Sequence, residues 1–217
     1  MKNKVNVKNL VLLAMLAAVA FLLVASVRIP VVLFLNYEPK DVVIAIGGFL
    51  LGPMASFLIS LIVSFVEMIT ISATGPIGAV MNLLSSCSFA CTAAAIYKRK
   101  RTLGGAVLGL VAGSVTMVGV MLLWNYLITP LYMMGTSRSD IAAMLIPVFL
   151  PFNALKAGFN TALTLLLYKP LVGALRKTGL IENRQNKSGS SKTGLYLLAV
   201  LLLATCVLLL LVYQGKI

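Results

Sequence analysis

Met54–Ile71 reads MASFLISLIVSFVEMITI, eighteen residues that carry a single charge. A run of about twenty apolar residues is long enough to cross the hydrocarbon core of a bilayer as a helix. The one interruption is Glu67, near the end of the run. A charged side chain at membrane depth costs roughly 2.5–3.5 kcal/mol even on lenient insertion scales, so it faces a cavity, a partner or a substrate. A second charge is placed in the same way: Lys156, in PFNALKAGFN (Pro151–Asn160). These two residues mark the address of a binding site.

Outward from Met54–Ile71 the apolar pattern repeats. Leu10–Val27 precedes it, then the short Val42–Leu51, which turns sharply at Gly52–Pro53. Pro76 is placed to start a segment over Ile77–Tyr97, since proline suits the first helical position. A fifth runs from Leu103 to about Ile128, and a sixth follows Pro147 and Pro151 and ends near Tyr168–Leu175. Gly194–Tyr213 is a nearly featureless seventh. With 60% hydrophobic residues in 217, the class is an all-α polytopic membrane protein. Residues 1–180 are expected as a six-helix domain, 181–193 (IENRQNKSGSSKT) as a solvated cytoplasmic linker, and 194–217 as an additional transmembrane helix with a short tail. Lys2–Lys8 followed by Leu10–Val27 has the outline of a signal peptide but lacks a small-residue cleavage site before Arg28, and reads as a retained first helix. The connection Arg28–Asp41, RIPVVLFLNYEPKD, is too apolar for a plain loop and is expected to fold back into the bundle.

The net charge of +13 gathers at Lys2, Lys4 and Lys8, at Lys98–Arg101, and at Arg176, Lys177, Arg184, Lys187 and Lys192. These clusters flank apolar segments, which is the positive-inside pattern and not a nucleic-acid groove. They place the N-terminus in the cytoplasm of a multi-pass cell-membrane protein, with anionic lipid head groups as sufficient partners. The connections left outside, Arg28–Asp41, Ser72–Gly75 and Thr129–Asp140, hold three basic and three acidic residues. Cys87, Cys91 and Cys206 lie in apolar segments and histidine is absent, so no metal or cofactor site is expected. There is no G-x-x-x-x-G-K-[ST] loop, no histidine-based dyad and no carboxylate pair at catalytic spacing. An enzyme is disfavoured, and ATP hydrolysis must come from elsewhere.

Asn153, Lys156, Asn160 and Thr164 recur at helical spacing and give the sixth segment one polar face. Counted from the nearest segment ends, Lys156 and Glu67 lie roughly 8 and 12 Å deep, close enough to border one outward-facing cavity. Asn125 lies beside Trp124 and Tyr126 near the end of the fifth segment, and Asn36, Tyr37 and Glu38 stand just above. Such a set suits a flat, hydrogen-bonding heterocycle with a polar tail. Structural readings stand beside it. Glu67 and Lys156 would neutralise each other, Asn125 and Asn153 would bond between helices, and Trp124, Tyr126 and Tyr132 would form an interfacial belt. Two small-residue stripes, Ala14–Ala18 with Ala25 and Gly105–Gly109–Gly113, look like contact faces.

FLNYEPKD (Phe34–Asp41), GGFLLGP (Gly47–Pro53), GPIGAVMN (Gly75–Asn82), the WNY of Trp124–Tyr126 and PFNALKAGFN occur in that order. Over about residues 5–178 the chain resembles the substrate-binding S component of an energy-coupling factor (ECF) vitamin transporter, of the riboflavin-binding kind. The resemblance implies a six-helix fold with an outward-facing vitamin pocket capped by the first connection. It implies that Ala14 and Ala18 dock on a transmembrane coupling protein driven by two cytoplasmic ATPase subunits. It also implies riboflavin contacts from Leu35, Tyr37, Glu38, Asn125, Asn153 and Lys156; Glu67 joins them on the burial argument alone. Riboflavin is then the transported substrate and not a cofactor. The seventh helix departs from the six-helix pattern. Alternatives are an S component for another vitamin or a stand-alone secondary transporter, although one Glu and one Lys make a thin ion relay.

Overall fold

The computed structural model describes residues 7–33, 35–72, 74–133, 137–177 and 192–214; the expected basic start at Lys2 and Lys4 and most of the linker lie outside them. The chain runs through α1 (Val7–Ser26), a hairpin of β1 (Ile29–Val32) and β2 (Leu35–Tyr37), α2 (Lys40–Leu51), α3 (Pro53–Thr70) and α4 (Gly75–Arg99). It continues through α5 (Leu103–Tyr132), α6 (Arg138–Met144), α7 (Leu150–Lys177) and α8 (Lys192–Tyr213). Among the described residues, five stretches are long and apolar enough to cross a membrane: Val7–Ser26, Pro53–Thr70, Gly75–Arg99, Leu103–Leu131 and Arg138–Tyr168. The protein is a multi-pass helical bundle with one small antiparallel hairpin.

The short α2 sits at the centre, against α1, α3, α4 and α7. Every residue from Lys40 to Phe49 is buried, as expected of a helix with no polar face. Gly52 makes the turn to α3 with φ of 102°, a backbone region open to glycine, and Pro53 then occupies the first turn of α3. α5 lies along α4 at very short range. A Cβ built at Gly109 would stand 2.6 Å from the Ala93 carbonyl oxygen, and Gly113 faces the Phe89 carbonyl just as closely. This glycine stripe is therefore used inside the chain, where the missing side chains let two helices touch.

The expected connector Thr129–Asp140 is mostly helix. α5 continues through Pro130 to Tyr132, and α6 starts at Arg138 behind a capping box in which Ser137 accepts from the Asp140 N–H and Asp140 accepts from the Ser137 N–H. Between α6 and α7, Leu145–Phe149 widens into a π turn. Pro147 lies within it and Pro151 just past it, and each lacks the N–H a regular ladder needs. Lys156 thus lies deep in a long, broken helix and not near its first turn, so its depth cannot be counted from Pro151.

The connection after α1 does fold back. Ile29 pairs with Tyr37, Pro30 with Asn36 and Val32 with Leu35, with a bulge between Pro30 and Val32. Val31, Leu35 and Tyr37 are buried. α8 lies against α7 rather than apart from the bundle.

Candidate functional site

Beneath the hairpin is a cavity of about 270 Å³, walled by the hairpin and by α3, α4, α5 and α7. Leu35, Glu38, Glu67, Asn125, Asn153 and Lys156 all line it. Tyr37 does not. Its hydroxyl donates to Asn160 Oδ1 (3.2 Å), and its ring packs on Phe159 with centroids 4.9 Å apart. Burial pushes the Tyr37 phenol up, so it stays protonated as a donor. Arg28, Asn36, Asn82 and Ser85 also face the cavity.

Glu67 is the hub of one charge cluster. Its Oε1 accepts from Arg28 Nη2 (2.7 Å) and Asn82 Nδ2 (3.0 Å), and its Oε2 from Lys40 Nζ (2.5 Å). Lys40 also meets Glu38 Oε2 at 2.7 Å, while Arg28 Nε faces Glu38 Oε1 at 3.2 Å as an ion pair. Arg28 Nη1 reaches the Ile71 carbonyl at 3.1 Å. The cluster therefore ties the hairpin and its flanks to the tops of α3 and α4.

A second cluster centres on Asp41. Its Oδ1 accepts from Ser86 Oγ (2.5 Å) and its Oδ2 from Asn160 Nδ2 (3.1 Å), with Lys156 Nζ at 3.4 Å from Oδ2. Lys156 also donates to Ser85 Oγ at 3.1 Å. The expectation that Glu67 and Lys156 neutralise each other is thus corrected: Glu67 answers Arg28 and Lys40, and Lys156 answers Asp41. Both residues still border one cavity. Asn125 and Asn153 bond to carbonyls one turn back on their own helices, Met121 (2.8 Å) and Phe149 (2.8 Å), not across helices. Trp124 packs against the core, and Tyr126 is exposed on the outside of the bundle.

Lys40 and Asp41, each 0% exposed, are what the sequence reading missed by leaving them in a loop. The available signal was scarcity. The chain has five carboxylates, and Glu38, Asp41 and Glu67 are all here. Burying so many charges is tolerated only because each is paired and further hydrogen-bonded.

An apolar bundle with a charge-balanced polar cavity at one end has the build of a membrane substrate-binding subunit, not of a pore. The family described as "ECF transporter, substrate-specific component" matches residues 8–168, and the chain belongs to it. The riboflavin transporter RibU of Staphylococcus aureus (strain TCH60) is 30% identical over 187 residues, covering 81% of this chain and 98% of that protein. The riboflavin transporter FmnP of Bacillus subtilis (strain 168) is 26% identical over 175 residues, covering 75% and 91%. A solved structure, described as the structure and mechanism of the S component of a bacterial ECF transporter, superposes with a TM-score of 0.64 at 30% identity, covering 78% of this chain and 98% of that one.

Proposed function

We propose that this chain binds riboflavin in the cavity under the hairpin and delivers it through an ECF complex. The observation that carries the reading is that cavity: six of the residues expected at the ligand converge on it from four separate elements. Both named relatives are riboflavin transporters. Arg28, Lys40 and Lys156 balance Glu38, Asp41 and Glu67, so the walls carry no net charge and suit an uncharged vitamin. Asn36, Asn82, Asn125 and Asn153 supply amide groups for a flat heterocycle and its hydroxylated tail.

In this reading the hairpin faces outward and the N-terminus is cytoplasmic. Ala14 and Ala18, both exposed on α1, dock on the transmembrane coupling protein, and two cytoplasmic ATPase subunits supply the energy. The test is fluorescence titration in detergent. Riboflavin should be quenched at about 1:1, and Lys156→Ala should weaken binding by about 1.5–3 kcal/mol, the range for hydrogen bonds to charged groups. Binding of thiamine or biotin in place of riboflavin would sink the assignment, and unchanged affinity in Lys156→Ala would leave Lys156 a structural partner of Asp41.

A further inference from the structure

We infer that α8, which lies beyond the family match ending at residue 168, is a brace that holds the hairpin over the cavity and slows exchange of the ligand. The inference rests on the reading of the cavity as a ligand site. Three observations converge on it.

First, α8 is keyed into α7. Cys206 fits where Gly158 has no side chain, and a Cβ there would stand 2.6 Å from its Sγ. Second, Cys206 and Leu210 of α8 share one buried apolar cluster with Val31, Leu35 and Tyr37 of the hairpin. The hairpin is thus gripped by apolar contact on its α8 side, while Leu35, Asn36 and the adjoining Glu38 line the cavity. Third, Gln214, just past the end of α8, donates from Nε2 to the Pro30 carbonyl at 2.8 Å. That bond closes across the chain from its far end.

The cavity wall makes the brace matter. The hairpin residues Leu35 and Asn36 form part of the wall of this cavity of about 270 Å³, so movement of the hairpin changes both its size and the access to it. Lifting the hairpin parts Val31 and Leu35 from their apolar neighbours and breaks the Gln214 bond. Whatever holds α8 in place therefore opposes opening.

The test uses the full chain in detergent, with amide hydrogen exchange of residues 29–37 and the riboflavin dissociation rate as readouts. Gly158→Leu pushes α8 from α7 without touching the cavity wall, and both rates should rise about tenfold. Gln214→Ala removes one bond at the surface and should raise both about threefold. If Gly158→Leu does not fold, Gln214→Ala decides alone. Faster exchange in α8 with an unchanged hairpin and unchanged dissociation would overturn the brace, as would faster dissociation from an unmoved hairpin. If the hairpin loosens in the variants but the parent never bound riboflavin, the brace stands and the ligand assignment falls.

Discussion

The two ends of the bundle are built on opposite principles. At the hairpin end, four charged side chains (Arg28, Glu38, Glu67 and Lys156) and several amides line a cavity, with Lys40 and Asp41 paired to them from behind. At the other end, where α4 runs into Lys98 and Arg99, Phe49, Tyr97 and Tyr168 close the space between α2, α4 and α7. Phe49 meets Tyr97 at a tilt with centroids 4.5 Å apart and Tyr168 edge-on at 5.6 Å, and the two tyrosine hydroxyls bond at 2.6 Å. Polarity is concentrated around the cavity, and the opposite end is closed by aromatic contact. A substrate leaving toward that end would have to part three packed rings. Delivery by movement of the whole chain against a partner fits this asymmetry better than a passage opening through it.

Removing Asp41 should break the comparison most severely. Asp41→Ala leaves Lys156 buried with only Ser85 to bond and takes the acceptor from Asn160 and Ser86. Losing one member of a buried pair costs about 3–5 kcal/mol, so thermal stability in detergent and riboflavin binding should collapse together. A variant that melts with the parent would show that the polar end is held by something other than these pairs.

Tyr168→Phe sharpens the contrast from the sealed end. It deletes the hydroxyl bond to Tyr97 but keeps the edge-on ring contact with Phe49. The expected cost is about 0.5–1.5 kcal/mol of stability, with riboflavin affinity unchanged. A loss of affinity as large as that of Lys156→Ala would mean that the two ends are not independent.

How much of this was legible depends on what carries each feature. The spans were plain, because apolar length reports a membrane helix directly. Glu67 and Lys156 were found because a charge inside an apolar run stands out. Lys40 and Asp41 escaped because they sit at the edge of their run, where the same residues in a solvated turn look identical; only the packing of α2 among α3, α4 and α7 buries them. The pairing of Glu67 with Arg28 and Lys40, and of Lys156 with Asp41, is a tertiary fact that helical spacing does not encode. The break at Leu145–Phe149 had its prolines in view, yet prolines alone do not say whether a helix ends or only widens. The two small-residue stripes looked alike in sequence. Their separation needed coordinates: Gly109 and Gly113 meet the α4 backbone, whereas Ala14, Ala18 and Ala25 are exposed and Leu12, Leu16, Ala20 and Val24 form the buried side of α1.

That difference sets the last and smallest expected effect on binding. Since Ala14 and Ala18 point away from the bundle, bulky residues there meet nothing among the described residues. Ala14→Trp combined with Ala18→Trp should leave riboflavin affinity within a few-fold of the parent, a change of under about 1 kcal/mol. Small residues on an exposed membrane face let a partner helix approach closely, and two indole rings would hold that partner off. Co-purification with the coupling protein and vitamin uptake should therefore be lost while the cavity still binds. Overpacking inside a core costs about 1–3 kcal/mol, so a fall in affinity and expression alongside the loss of assembly would place the stripe inside the working fold and not at a docking face. Intact assembly in the double variant would move the docking surface to another helix, with the exposed residues of α3 and α5 next to be tested.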